Sequence, residues 1–308
     1  MSEKSIELEN KVPLLDIKGR ATYLIINFII LSLSYSPALL FKGICWSIFQ
    51  LTYLFGAKQK RIVRNNVKFI FDLPEHSSFS KNFVKQVIRH QIYSALESFR
   101  FIKRHEDFEF SGLDEFEENL RMCGNKGVVA IAAHVGAWEL LGRVAPAISA
   151  RMNKDFYAVA KPSKNSGMSM VLNEIRNENG TKVLWTGQSS LVRDMIKVLE
   201  SGHILGMVMD QKPKNRIGPE VSFYGKKTSF VPGPATVALK TGASTFSFHC
   251  VREGFQKYRL VTACLEPVGN DLESRTAFYA SEIERVIKLY PEQWCWNYKR
   301  WNFKEESI

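Results

Sequence analysis

Between Ala21 and Phe41 the chain carries no Lys, Arg, Asp, Glu or His; the run reads ATYLIINFIILSLSYSPALLF. As a helix it would be about 31 Å long at ~1.5 Å per residue, roughly one hydrocarbon core. Pro37 interrupts it, and the most apolar part, Tyr23 to Leu33, is shorter than a span. Apolar character resumes after Lys42 in GICWSIFQLTYLFGA, where Trp46 and Tyr53 suit a lipid–water interface. Three arrangements compete: a single transmembrane anchor, a helical hairpin dipping into one leaflet, and a buried core helix of a soluble protein. Length and lack of charge favour the first two. The preceding polar tail holds Glu3, Glu7, Glu9 and Asp16, which with the late start of the apolar run argues against a cleaved signal peptide. Lys58, Lys60, Arg61, Arg64 and Lys68 follow. Such a cluster can bind anionic headgroups beside an apolar segment, though a solvated helix face is the commoner meaning of a charge run. The pattern thus predicts a polar tail (1–20), a membrane-anchoring helical segment (21–57) and one further domain (58–308).

From Gly127 the pattern changes to short apolar strands alternating with amphipathic helices. GVVAIAAH reads as a strand ending at His134, and Trp138 to Ile148 as a helix. Strands follow at 156–161, 183–185, 204–210, 245–251 and 258–265, with helices at 168–177, 191–200, 234–240 and 272–289. This alternation predicts an α/β fold: a mixed, mostly parallel central sheet flanked by helices. In such sheets chemistry gathers at the carboxyl ends of strands, where His134 and Asp210 are both placed.

Composition narrows the partners. Lys and Arg number 42 against 31 Asp and Glu, a net charge of +11. That excess favours an anionic partner: nucleic acid, an acidic carrier protein or a membrane surface. No zinc-finger, RNP-type or heptad signature supports nucleic acid. The five cysteines are scattered and none has CxxC spacing, so neither a disulfide framework nor a metal site is expected, and a reducing compartment is. Cys250 follows His249 directly, but adjacent strand residues point to opposite faces. Cys123 and Cys250 read as packing residues.

The strongest chemical candidate is His134-Val135-Gly136-Ala137-Trp138-Glu139. Two residues five apart on one helix lie ~140° apart and do not meet. They meet if His134 precedes the helix and a Gly136 turn folds its ring over the first helical turn. Glu139 then bonds one imidazole nitrogen and leaves the other as a base. Alone, H-x4-E is a weak pattern, and a lone His is more often structural. The strand end, the Gly turn and the acidic neighbour favour chemistry here.

These residues resemble the H-x4-[DE] motif of glycerolipid-type acyltransferases, in the HxGxWE form of the bacterial lipid A late (lauroyl/myristoyl) acyltransferases. Further matches run in order along the chain. Arg64 and Asn65 resemble an "R…N" element; Lys161-Pro162 through Arg176, a segment whose Arg belongs to the site; Asp210-Gln211, a "DQ" pair. Phe223-Tyr224-Gly225, Thr228 and Gly233-Pro234-Ala235 resemble "FfG…T…GpA", and Pro291 to Trp296 with Arg300-Trp301 the closing "PEQWlW…RW". Tyr298 stands where many members carry His, Lys299 where they carry Arg, and Ala137 where Asn is frequent. The resemblance covers roughly residues 20–303. It implies transfer of a fatty acyl chain from an acyl carrier protein thioester to a hydroxyl of a lipid A precursor or related membrane lipid. His134 would be the general base and Glu139 its orienting partner. Arg176, Asp210 and Gln211 would bind substrate, with Arg176 or a backbone amide facing the oxyanion. No metal or cofactor is implied beyond the thioester co-substrate. The implied location is the inner membrane, with the catalytic domain on the cytoplasmic face. An acceptor other than lipid A, or an inactive membrane-tethered lipid-binding protein of the same fold, are the alternatives. The Trp294, Trp296 and Trp301 cluster fits a core, or an acyl groove.

Overall fold

One sheet holds seven strands: β1 (Glu109–Ser111), β2 (Val128–Ala132), β3 (Phe156–Ala160), β4 (Thr181–Trp185), β5 (Ile204–Val208), β8 (Ser244–Gly254) and β9 (Lys257–Leu265). Their order across the sheet is β1-β9-β8-β2-β5-β3-β4. A separate antiparallel hairpin pairs β6 (Glu220–Phe223) with β7 (Lys226–Ser229). In the large sheet only β8 and β9 pair antiparallel, which is the mixed, mostly parallel α/β sheet that the alternation predicts. The computed structural model describes residues 15–73, 78–213, 218–266 and 268–301. Most of the predicted polar tail, residues 1–14, lies outside the described residues.

β2 is buried at all five positions, as expected of a central strand covered on both faces. Its odd residues Val129 and Ile131 join a core formed with α8 (Leu191–Glu200), α9 (Gly233–Thr241) and α10 (Leu272–Leu289). Its even residues Val128, Ala130 and Ala132 pack with α5 (Leu113–Met122) and α6 (Trp138–Ala150).

Ahead of the sheet come α1 (Ile17–Tyr35), α2 (Ala38–Phe55), α3 (Ala57–Phe71) and α4 (Ser78–Phe101). Pro37 divides the long apolar run into α1 and α2. Buried Arg100 fills the break: its Nη1 donates to the carbonyls of Leu33 (2.9 Å) and Ser36 (2.7 Å), and Ser36 Oγ also donates to the Leu33 carbonyl at 2.8 Å. α1 packs along α4 and along α7 (Ser166–Glu178). Tyr23 donates its hydroxyl to Glu174 at 2.9 Å. Asp16 caps Gly19 N at 2.8 Å and also accepts from Ser166 Oγ at 2.7 Å. α2 lays Phe41, Cys45 and Phe49, one stripe at i, i+4, i+8, into the protein.

The outer faces of α1 and α2 have no such cover. They carry thirteen of the twenty exposed large hydrophobic side chains among the described residues, so exposed apolar surface is concentrated on this pair. By length and composition both helices are long and apolar enough to cross a membrane.

After β2 the chain turns over Val135-Gly136 into α6. Gly136 has φ +60°, and a Cβ there would sit 2.2 Å from the Cys250 carbonyl oxygen. The turn is clamped from both sides, because Gly136 N donates to Gln293 O (3.0 Å) and Ala137 N to Cys250 O (2.8 Å). Gly136→Ala therefore combines a left-handed backbone with a backbone clash. It should destabilise the protein by about 1–3 kcal/mol, read as a lowered denaturation midpoint; an unchanged midpoint would show that the turn relaxes freely.

Candidate active site

β2 and β5 are adjacent and parallel, paired Val128↔Ile204 through Ala132↔Val208. Continuing that register past the strand ends puts residue 134 opposite residue 210. The ladder is extended by Met209 N donating to Ala132 O at 3.0 Å. The two side chains meet: His134 Nδ1 lies 2.6 Å from Asp210 Oδ1, and His134 N donates to Asp210 Oδ2 at 3.1 Å. The Asp210 carboxylate is buried, with 3% exposure, whereas the His134 side chain keeps 19%. The acid is thus sealed in while the imidazole reaches the surface.

Three residues of the closing segment brace the pair, one on the carboxylate and two on backbone carbonyls. Trp294 Nε1 donates to Asp210 Oδ2 at 2.7 Å. Arg300, fully buried and 4.1 Å above the Phe230 ring, donates to the Asp210 carbonyl. Cys295 N donates to the His134 carbonyl at 3.0 Å. The Trp294, Trp296 and Trp301 cluster is buried core, and one of its members, Trp294, also binds the site. Beneath the turn, His249 Nε2 accepts from Ala133 N at 3.2 Å while Cys250 packs with the opposite core. Burial holds His249 down at about 4, so it is neutral at pH 7 and acts as an acceptor.

The Asp210–His134 pair sets the electrostatics. Burial alone would raise the Asp210 carboxyl. The His134 charge and hydrogen bond, with the Trp294 bond, outweigh it and leave Asp210 at about 2. Burial pulls His134 down, but the charge and hydrogen bond of Asp210, with the charge of Glu139, raise it above its ordinary 6.5. Nδ1 is therefore committed to the acid, and Nε2 is the nitrogen left for chemistry.

Glu139 does not make the expected bond to the imidazole. It sits in the first turn of α6, and Arg176 Nη2 donates to both of its oxygens at 3.0 and 3.1 Å. The carboxylate in contact with the His134 ring is that of Asp210. The reason is geometric: the strand register carries Asp210 straight across to Nδ1, while α6 turns Glu139 toward the last turn of α7. Arg176 is therefore an interhelical partner of Glu139, reaching the imidazole only through that carboxylate's charge. Gln211 joins the site, its side-chain nitrogen 3.5 Å from His134 Nε2. The amides of Val135, Gly136 and Ala137 all donate to backbone carbonyls, so none of them is open to a substrate oxyanion.

In the "R…N" element, Arg64 and Asn65 are half-exposed, and the neighbouring Asn66 makes the contacts. Buried Asn66 donates from Nδ2 to the carbonyls of Trp296 (2.7 Å) and Tyr298 (2.8 Å). Tyr298 accepts Lys212 N at 3.1 Å through its hydroxyl, so it braces the segment just after Gln211. Trp294, Arg300, His249 and Asn66 were not singled out from sequence as site residues. Each lies tens of residues or more from its partner, and no local pattern marks the pairing.

The fold and site define a class: an α/β protein with a His–Asp pair at the carboxyl ends of adjacent parallel strands, one imidazole nitrogen held by the carboxylate and the other beside the Gln211 amide. The family model for bacterial lipid A biosynthesis acyltransferases matches residues 9–303, and the chain belongs to that family. A phosphatidylinositol mannoside acyltransferase of Mycobacterium tuberculosis is 26% identical over 208 residues, 66% of this chain and 62% of that protein. A protein of the same name from Mycolicibacterium smegmatis is 26% identical over 177 residues, 57% of each chain. The lipid A biosynthesis palmitoleoyltransferase of Escherichia coli K12 is 24% identical over 204 residues, 65% of this chain and 63% of that one. The chain thus spans less than two thirds of the length of these curated relatives.

The geometry ranks the two carboxylates. Asp210→Asn should lower the His134 titration midpoint clearly, and Glu139→Gln should lower it less, by histidine-resolved NMR titration. A larger shift from Glu139→Gln would reverse the assignment. The sign for stability follows. The raised His134 contributes fully below about 6.5 and less as pH climbs past its folded value. The depressed Asp210 contributes above about 3.8 and is lost as pH falls toward 2. The pair therefore stabilises the fold most between about pH 4 and 6.5.

Proposed function

We propose that the chain is an acyltransferase that moves a fatty acyl group from an acyl carrier protein thioester to a hydroxyl of a membrane glycolipid, with His134 as general base. The observation that carries this reading is the His134–Asp210 pair: Nδ1 held at 2.6 Å, Nε2 on the exposed side of the ring. A lipid hydroxyl is a weak nucleophile at neutral pH, and a positioned base is worth about 10²–10⁴-fold. His134 Nε2 takes the hydroxyl proton as the oxygen attacks the thioester carbonyl. Asp210 stabilises the imidazolium that forms. The tetrahedral oxyanion needs a donor, and the Gln211 amide is the nearby side chain suited to it. Collapse breaks the carbon–sulfur bond, and the departing thiolate recovers the proton from His134. The thioester is already activated, so the scheme asks for no metal or further cofactor. Glu139 and Arg176 tie the α6 amino terminus to α7 and so hold one wall of the site.

The acceptor follows from what unites the relatives. One pair is named for a phosphatidylinositol mannoside, the other protein for lipid A, and both acceptors are sugar-bearing membrane lipids. A lipid A precursor or a related glycolipid is the reading for this chain. The +11 net charge suits both an acidic carrier protein and an anionic acceptor. A cytoplasmic carrier protein as donor supports a catalytic domain on the cytoplasmic face of the inner membrane.

The exposed apolar faces of α1 and α2 support attachment to the bilayer. α1 is bound along its length to α4 and α7, with polar contacts at both ends. A helix held that way is better suited to lie in the interface than to pass through the hydrocarbon core.

His134→Ala should reduce thioester consumption by about 10²–10⁴-fold in the presence of acceptor lipid. Activity unchanged by that substitution would sink the base assignment, whereas a wild type that consumes no thioester would favour an inactive lipid-binding protein. Wild-type rate should rise with pH through a midpoint above 6.5, because only neutral His134 accepts a proton. Asp210→Asn should move that limb to lower pH while lowering the rate. The protein should also sediment with membranes after a high-salt wash and leave them in detergent; release by salt alone would mean a purely electrostatic attachment.

A further inference from the structure

A cleft of about 650 Å³ lies where α2, α4 and the β8–β9 turn meet. Two cations on its walls have no carboxylate partner among the described residues. Lys42 Nζ stands 4.4 Å over the Phe255 ring, and the Arg89 guanidinium 5.6 Å over the Tyr93 ring. Both are exposed. Arg252, the third cation at the cleft, differs in kind. Glu97, fully buried, accepts from its Nε at 3.2 Å and its Nη2 at 2.7 Å, so its charge is spent within the protein. Glu253 contributes one carboxylate to the lining, and His90 brings a buried Nδ1 with no hydrogen-bond partner.

The cleft is not an isolated basic spot. Lys42 shares a face of α2 with Leu39 and Trp46, at i−3 and i+4. Leu39 is 83% exposed and Trp46 57%. Trp46 also lines the cleft. A cationic recess therefore opens directly onto an apolar strip that includes an exposed Trp, the residue type favoured at a lipid–water boundary. A small soluble anion would use the recess and leave the strip bare. An amphiphile with a phosphate head and an acyl tail would use both.

From this juxtaposition we infer that the cleft between α2, α4 and the β8–β9 turn is a binding site for the phosphate headgroup of an anionic membrane lipid, with Lys42 and Arg89 on the phosphate and the acyl chain along α2. The site is separate from His134. It is nevertheless joined to the catalytic turn by one residue. The Gln293 side chain accepts from Arg252 N (2.8 Å) and donates to Arg252 O (2.9 Å), while the Gln293 carbonyl accepts from Gly136 N (3.0 Å). A headgroup seated there would set the height of the turn carrying His134 relative to the bilayer surface.

The test compares binding of the full chain to phosphatidylcholine vesicles with and without phosphatidylglycerol. Three proteins are measured: wild type, Lys42→Gln/Arg89→Gln, and Lys58→Gln/Arg61→Gln. The third loses the same charge from exposed positions on α3, and thermal midpoints confirm that each is folded. The preference for anionic vesicles should fall in the cleft variant by about fivefold more than in the α3 variant, one extra headgroup contact at ~1 kcal/mol. Equal losses in the two variants would mean diffuse attraction and overturn the site. A second arm titrates inorganic phosphate into wild type and the cleft variant. Phosphate binding that depends on Lys42 and Arg89, with vesicle preference unaltered, would assign a soluble-phosphate site and overturn the lipid. Loss of carrier-protein binding with vesicle preference intact would overturn it in favour of a protein partner. All readouts are of binding, so the result stands apart from the chemistry assigned to His134.

Discussion

A carboxylate with 3% exposure in the middle of a protein has to be matched by its surroundings. An unpaired buried charge costs far more than a fold of this size has to spare. Asp210 is matched on every side: the imidazole and amide of His134, the indole of Trp294, and Arg300 on its own carbonyl. These partners come from the end of β2 and from the closing segment after α10. Satisfying one carboxylate at the end of β5 thus draws two distant parts of the chain to it. The order of the carboxy-terminal segment follows from the same demand, because Cys295, Trp296 and Tyr298 are stitched to His134 and Asn66 through their backbones.

The sheet was legible because buried strands announce themselves. VVAIA and ILGMV are continuous apolar runs, and their ends located His134 and Asp210 correctly as strand-end residues. What the alternation does not state is strand order, and strand order decides that β2 lies beside β5. Without it, nearness along the chain is the natural guide to a partner, and Glu139 at five residues looks better than Asp210 at 76. The helix that brings Glu139 close also turns it toward Arg176. The hairpin β6–β7 had no comparable signal, its strands EVSF and KKTS being short and half-polar. Helix α4 does carry an apolar stripe, Val84, Ile88, Ile92 and Leu96 at i, i+4 spacing, interleaved with charged residues.

The apolar run near the amino terminus shows the opposite limit. Its hydrophobicity was plain, and Pro37 marked the break between α1 and α2. Composition cannot say which side of a helix meets protein. Ile30, Leu33, Phe41, Cys45 and Phe49 turn inward while equally apolar neighbours face out. For α1 the close approach of Gly19 to Gly167 of α7 is one such local feature. An added Cβ on either would lie 2.0 Å from an atom of the other helix.

Arg100 gives that packing a practical weight. Its guanidinium is buried beneath the α1–α2 junction, 4.8 Å from the Phe41 ring, with Asp107 at 3.5 Å on one flank. Two of its acceptors are carbonyls of residues 33 and 36. Cutting the chain after residue 57, the obvious way to obtain a handy water-soluble version, would strip a buried cation of those acceptors and lay bare the α7 surface that Gly19 touches. The greasy leader is thus no detachable handle but a load-sharing wall of the protein, and solubility would have to be sought by recolouring its outer face rather than by amputation.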